Sequence, residues 1–252
     1  MPCLECGNPK TCRAHIIPAA LGKDIIRQEP GLKALSLLEP NRINNYIQSG
    51  LFDDDILCSY CDGRLNVFDD HAIEIIRLLG TAHETISSRE NSFTVTRISG
   101  INHEQLALFA AAVVWRTSVS KYRELSEFTL GNNEAWFREM IFRRSTDIPT
   151  VLAARLVDRG AIPDEAAAGA LAYPVRGKLR GAWVAHFVAG VLMFLVQTTR
   201  AVNPSLQRGA ITTFGRSAGP TCLTGVLLPF DQVADSANIW KSKYMQHILA
   251  DS

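Results

Sequence analysis

The sequence contains no Asp or Glu between Ala166 and Phe230, although this segment carries basic side chains. The whole chain has a formal net charge of only +1, which excludes a chain-wide attraction to nucleic acid. Any electrostatic attraction to nucleic acid must therefore come from a local group of basic residues. We call residues 166–230 the acid-free tract, and within it we select Arg176, Lys178 and Arg180 as candidates for binding a phosphate backbone.

Long apolar runs are also missing. The longest, Ala182 to Val196, is interrupted by His186 and is shorter than the roughly 20 residues that a membrane helix requires. We predict no membrane segment, and we expect this run to form two buried strands that meet at Gly190. The N-terminus lacks the charged and apolar regions of a secretory signal, so we expect a cytoplasmic protein with reduced cysteines.

The length of 252 residues and a hydrophobic content of 47% predict an α+β protein in two parts. These are a zinc module over residues 1–80 and a larger, mixed domain over residues 81–252 that is mostly helical with a few strands. Residues 1–80 hold 8 Lys and Arg against 11 Asp and Glu, so the module is acidic. Hydrophobic periodicity and turn residues predict these elements: a strand at 15–18, helices at 61–80, 102–121 and 136–144, a strand at 92–98, a turn at 202–204 and a helix from about 236.

Two Cys-x2-Cys pairs, Cys3/Cys6 and Cys58/Cys61, are the strongest chemical motif in the chain. Each short spacer allows a tight turn to point both thiolates at one ion, which predicts a tetrahedral structural zinc site. The alternatives are four unrelated buried cysteines or disulfides. Cys12 either replaces one of these ligands or packs without binding a metal. Cys222 is most simply a thiol in the core, so we leave both outside the site.

The segments "AHIIP" and "ILCSYCDGRL" resemble the four-cysteine type of HNH endonuclease over about residues 3 to 75. The resemblance implies a ββα-metal, treble-clef fold with a structural zinc held by the four cysteines. It implies that His15 is the general base that activates water. It further implies a catalytic Mg²⁺ or Mn²⁺ that polarises a phosphate.

The chain departs from the HNH pattern at several positions. Ala14 stands where the family has Asp, Asp62 stands where it has Asn or His, and three aspartates at 53–55 stand where an Asn is expected. Asp62 and Asn66 lie four residues apart on the predicted helix and share a face, and their oxygens suit Mg²⁺ or Mn²⁺. Two plain alternatives remain open: Asp62 stabilises the helix dipole, and His15 only hydrogen-bonds a backbone carbonyl.

When the segment "LFAAAVVWRTSVS" is included, the chain also resembles uncharacterised bacterial HNH-like proteins. Some of these proteins are encoded near phage-defence genes. Their Trp-Arg pair matches Trp115 and Arg116. Such an Arg either grips a phosphate or ties its helix to the zinc module by a salt bridge, and we favour the second role because Trp115 adjoins an apolar face.

Three functions are therefore compatible with the sequence. The first is an endonuclease with His15, Asp62 and Asn66 at its catalytic site, which cleaves DNA or RNA and acts in phage defence. The second is a catalytically inactive zinc-binding protein with a nucleic-acid-binding or regulatory role. The third is a ligand sensor in the C-terminal part that controls the module. The oligomeric state stays open, with a homo-oligomer among the options.

Overall fold

The computed structural model describes residues 1–28, 50–81, 84–87, 92–95, 101–143, 147–149, 151–157, 170–179, 181–200, 213–214 and 227–229. Four α-helices lie in this part of the chain: α1 (Ala19–Gln28), α2 (Ser59–Thr81), α3 (His103–Val119) and α4 (Glu134–Arg143). The strands are β1 (Cys12–His15), β2 (Phe52–Leu57), β3 (Glu84–Ser87), β4 (Ser92–Val95), β5 (Val151–Val157), β6 (Ala170–Leu179), β7 (Ala182–Gly190), β8 (Leu192–Gln197), β9 (Thr213–Phe214) and β10 (Leu227–Pro229).

The N-terminal part combines a tight turn, a β-hairpin and a helix. Gly7 closes the turn after Cys6 with a φ of +74°, a conformation that favours glycine. Strands β1 and β2 then pair antiparallel, with Ala14 opposite Asp53 and His15 opposite Phe52. Because α2 begins directly after β2, the second cysteine pair lies at the junction between hairpin and helix.

Helix α3 is the centre of the hydrophobic core. Asn102 caps its N-terminus, since the side-chain oxygen accepts a hydrogen bond from the amide of Gln105 at 3.0 Å. Every residue from Leu106 to Thr117 is buried, so the helix is enclosed on all sides. Helices α2 and α4 pack against it, and one hydrophobic cluster runs from the N-terminal module into the C-terminal sheet.

The C-terminal part is built on a six-stranded sheet in the order β10-β5-β8-β7-β6, with β9 paired to β5. Eight of the ten described strands follow residue 81, against two α-helices, so the prediction of a mostly helical domain is wrong for the described residues. The segment that forms β6 contains Pro174 and Gly177 and gives little strand signal. Pro174 is accommodated because β6 is an edge strand whose register shifts between Ala172 and Val175.

Two of the contacts between the N-terminal module and this sheet are especially close. The amide of Leu51 donates a 2.6 Å hydrogen bond to the hydroxyl of Tyr173 on β6, and burial raises the pKa of Tyr173 to about 12. Gly190, at the end of β7, has a φ of +61° and lies against Ile76 of α2, so that a Cβ at Gly190 would come within 2.4 Å of Ile76 Cγ2.

Most of the predicted elements are confirmed. The helices predicted at 61–80, 102–121 and 136–144 correspond to α2, α3 and α4, and the apolar run 182–196 forms β7 and β8, which meet at Gly190. Of the strand predicted at 92–98, residues 92–95 form β4 and the rest lies outside the described residues. The strand predicted at 15–18 is wrong, since β1 ends at His15 and the chain enters α1 after Pro18.

The turn at 202–204 and the helix from about 236 lie outside the described residues, and the division at residue 80 stays a prediction. Among the described helices, none has the length and apolar character needed to cross a membrane.

Candidate functional site

Four cysteine sulfurs converge at the junction of the first turn, the hairpin and α2. The Sγ atoms of Cys3, Cys6, Cys58 and Cys61 all lie within 4.8 Å of one another, and those of Cys6 and Cys58 are 3.6 Å apart. A tetrahedral zinc with Zn–S bonds of about 2.3 Å requires sulfur separations of roughly 3.8 Å. The four thiols therefore can hold a metal ion such as zinc.

The environment of the sulfurs also suits metal-bound thiolates. Cys3, Cys58 and Cys61 are buried and Cys6 is exposed. Burial raises the pKa of Cys3, but the backbone amides of Cys6, Cys58 and Glu5 donate to its sulfur and bring its pKa down to about 7. The pKa of Cys61 is raised by burial and by the neighbouring thiols, which destabilise its thiolate. A bound cation would stabilise that thiolate.

The first turn is fixed from two sides, which holds its sulfurs in place. The amide of Leu4 donates to the carbonyl of Ile56 on β2 at 3.0 Å, and the guanidinium of Arg138 on α4 donates to the carbonyl of Leu4 at 3.0 Å. Arg64 of α2 donates to the carbonyl of Phe142 on α4. The second cysteine pair is thereby connected to the same helix that holds the first.

Cys12 does not belong to the group of converging sulfurs within the described residues. Its thiol is half-buried, and its pKa is raised by burial and by the charges of Asp62, Cys58 and Cys3. Cys222 lies outside the described residues.

His15 ends β1 and is half-buried beside Phe52, with 5.8 Å between the ring centroids. Burial lowers the pKa of His15, and the positive charges of Arg13, Arg116 and Lys23 lower it further, while the charge of Asp69 raises it. The imidazole is therefore neutral near pH 7, the form that can accept a proton.

Asp62 lies in the first turn of α2, as predicted, and its carboxylate is half-buried. Within the described part of the chain its side chain makes no hydrogen bond or ion pair. Burial raises the pKa of Asp62, the charge of Arg116 lowers it, and the charge of Asp69 raises it. Asn66 follows one turn later on the same face and is exposed.

A buried ion pair between Asp69 and Arg116 is the main feature that the sequence did not reveal. The guanidinium of Arg116 on α3 donates two hydrogen bonds, of 3.0 and 2.9 Å, to the two carboxylate oxygens of Asp69 on α2. The Arg116 side chain is only 2% exposed and that of Asp69 only 11%. The structural role favoured for Arg116 is confirmed, because it ties α3 to the helix that carries Cys61. The same face of α2 that holds Asp62 thus continues to Asp69, and we call His15, Asp62, Asp69 and Arg116 the His15 cluster.

The three aspartates at 53–55 are occupied in structural contacts. The buried Asp53 accepts hydrogen bonds from the hydroxyl of Ser120 at 2.9 Å and from the amide of Lys121 at 2.7 Å, both just beyond the end of α3. Asp55 pairs with the N-terminal amine and with Lys121. Asp54 is exposed near Arg13. Ala14, opposite Asp53 in the hairpin, is completely buried and offers no ligand atom.

Two of the candidate nucleic-acid residues, Arg176 and Lys178, lie on the β6–β7 hairpin. Arg176 and Lys178 are exposed on β6, and both approach the ring of Trp183 on β7. Arg180 lies outside the described residues.

No family model, curated protein or solved structure matches the sequence. The resemblance to HNH endonucleases therefore stays a prediction from the cysteine and histidine motifs of the sequence.

Proposed function

We propose that the chain is an HNH-like endonuclease that hydrolyses phosphodiester bonds in nucleic acid with the help of a divalent cation. One observation carries the proposal: the strand β1, which ends at His15, contacts the helix α2, which carries Asp62. The charges of Arg116 and Asp69 act on the pKa of both side chains, and the Asp62 carboxylate has no hydrogen-bond partner among the described residues.

Within this proposal His15 is the general base. Its lowered pKa keeps the imidazole neutral at pH 7, so that it can take a proton from the attacking water. Its place at the end of a paired strand, against Phe52, limits the orientations of the ring. A positioned base of this kind contributes about 10²- to 10⁴-fold to a hydrolysis rate.

Asp62 and the exposed Asn66 would hold a catalytic Mg²⁺ or Mn²⁺, since hard cations prefer carboxylate and amide oxygens. Bound there, the cation would polarise a phosphate oxygen. The raised pKa of Asp62 fits this donor role, because burial destabilises the charged carboxylate and a bound cation would stabilise it.

The four-thiol centre would be a structural zinc in a treble-clef arrangement. A turn with two cysteines, a hairpin and a helix that begins between the second two cysteines support this assignment. With four protein thiolates the site is closed, so this zinc would stabilise the module and take no part in hydrolysis.

A second candidate is a catalytically inactive zinc module that binds nucleic acid or a regulatory partner. It is favoured by Ala14, which is fully buried where HNH proteins present a metal-ligating Asp. It is also favoured by Arg116, whose charge already acts on both His15 and Asp62 and would repel a divalent cation.

Cleavage of plasmid DNA and of a structured RNA, with Mg²⁺, Mn²⁺ or EDTA, decides between the two. The wild type should cut only with a divalent cation, and His15→Ala should lose at least about 100-fold in rate with its zinc content and melting temperature unchanged. His71→Ala is the matched control: His71 lies on the side of α2 opposite Asp62 and should leave cleavage intact. A wild type that cuts neither substrate with any cation would establish the second candidate instead.

A further inference from the structure

The β6–β7 hairpin carries an exposed aromatic ring beside two cations. Lys178 lies directly opposite Trp183 in the hairpin register, and Arg176, two residues away, is on the same side of the sheet. The guanidinium carbon of Arg176 is 4.2 Å from the centroid of the Trp183 ring, and Nζ of Lys178 is 4.5 Å from it. Trp183 is 37% exposed, which is unusual for the largest apolar side chain. We call these three residues the Trp183 surface.

Among the described residues, no acidic side chain compensates the positive charge of the Trp183 surface. Within the described residues neither Arg176 nor Lys178 forms an ion pair, and the tract that contains them has no Asp or Glu at all. Cation–π contacts explain why both side chains stay by the ring despite their like charge. They also hold the two cations in fixed positions, which lowers the entropy lost when an anion binds.

The position of the surface in the fold leaves it accessible. Strand β6 is the edge of the sheet, and Trp183 lies at the start of β7. The next residues on the same face, Ala185 and Phe187, are completely buried in the core. This face of β7 is therefore buried at Ala185 and Phe187 and becomes exposed to solvent at Trp183.

We propose that the Trp183 surface binds single-stranded nucleic acid. Phosphates require cations, which Arg176 and Lys178 supply, and unpaired bases stack on exposed aromatic rings and on guanidinium planes. A duplex offers the same phosphates, but its bases are already stacked and cannot reach Trp183 without being unpaired. An acidic peptide would use the two cations but not the ring.

The inference rests on the proposed function in that nucleic acid is the ligand of both, and it adds that the ligand is held as a single strand at residues outside the His15 cluster. Binding requires no chemistry, so it is measured in EDTA, where cleavage does not occur. The probes are a fluorescent 20-nucleotide DNA, the RNA of the same sequence and the corresponding DNA duplex, each titrated with the full chain.

The wild type should bind both single strands more tightly than the duplex. Trp183→Ala should weaken single-strand binding by roughly tenfold and leave duplex binding nearly unchanged, since one stacked base contributes about that much. Trp183→Phe keeps a ring and should recover most of the loss. The double variant Arg176→Gln, Lys178→Gln should flatten the salt dependence of binding, while Arg143→Gln, at an exposed cation of α4, should change it less.

Three results would overturn the inference. The first is a single-strand affinity that is unchanged in both Trp183→Ala and the double Gln variant, and the second is an equal loss of affinity for single strand and duplex in Trp183→Ala. The third is displacement of the oligonucleotide by poly-glutamate at the same charge concentration. A folded Trp183→Phe protein keeps the test valid if Trp183→Ala melts early.

A chain that binds single strands through this surface but never cleaves them would refute the nuclease proposal alone. Cleavage with unaltered binding in all the variants would refute the Trp183 surface alone.

Discussion

Replacing Gly190 by Ala tests whether helix α2, which carries Cys61, is held against the C-terminal sheet. The new Cβ would lie 2.4 Å from Ile76 Cγ2, closer than any normal carbon contact. Two costs add: about 1–2 kcal/mol for an Ala at the positive φ of +61°, and about 1–3 kcal/mol for forcing a methyl group into a filled core. We expect Gly190→Ala to lower the free energy of unfolding by about 2–5 kcal/mol.

Gly181→Ala is the matched control, because Gly181 has a φ of +83° but no atom within 4 Å of a built Cβ. It should show the backbone cost only, so urea denaturation of the two variants should differ by about 1–3 kcal/mol. Ile76→Ala removes the clashing methyl group, and in that background the additional cost of Gly190→Ala should disappear. Equal destabilisation by Gly190→Ala and Gly181→Ala would refute the reasoning and mean that the turn moves away from α2 without cost.

The remaining predictions concern the site. Elemental analysis should find one tightly bound zinc per chain. The Cys58→Ser variant should lose this zinc, and its N-terminal part should become sensitive to protease, because three thiolates no longer close the site. An unchanged digestion pattern would contradict this prediction. Asp69→Ala should cost about 3–5 kcal/mol in thermal or urea denaturation, since it leaves the guanidinium of Arg116 buried without its partner. Because burial and nearby cations lower the pKa of His15 from 6.5, the cleavage rate should decline as pH falls through that lowered pKa, with its midpoint below pH 6.5. A decline centred above pH 6.5 would argue against His15 as the base.

Local patterns predicted the helices and failed where the fold is decided by distant partners. The apolar period of α2 and the Asn102 cap of α3 are signals contained in a few residues, and both helices lie where expected. Strand β6 includes Pro174, and its pairing depends on β7 and on its place at the sheet edge, which no local pattern gives. Helix α1 was missed because Pro18, which precedes its first turn, looked like the end of a strand.

The four cysteines could be grouped from their spacing alone, because two residues between thiols leave few geometries. The pairing of Asp69 with Arg116 could not, since the two residues are 47 positions apart and a helical Asp usually faces solvent. The one available signal was the Arg next to a buried Trp at position 115. The role of Asp53 also depends on a distant partner: its carboxylate accepts hydrogen bonds from residues just beyond the end of α3.

The sulfurs of Cys6 and Cys58, 3.6 Å apart, belong to residues separated by 52 positions, and the hairpin strands β1 and β2 enclose most of that interval. Metal binding and hairpin pairing therefore depend on the same loop closure, whose entropic cost grows only with the logarithm of loop length. Doubling the interval would add about 0.6 kcal/mol, or roughly a threefold loss in metal affinity. Loop-closure entropy alone would therefore tolerate long insertions between the two strands while the four sulfurs stay together.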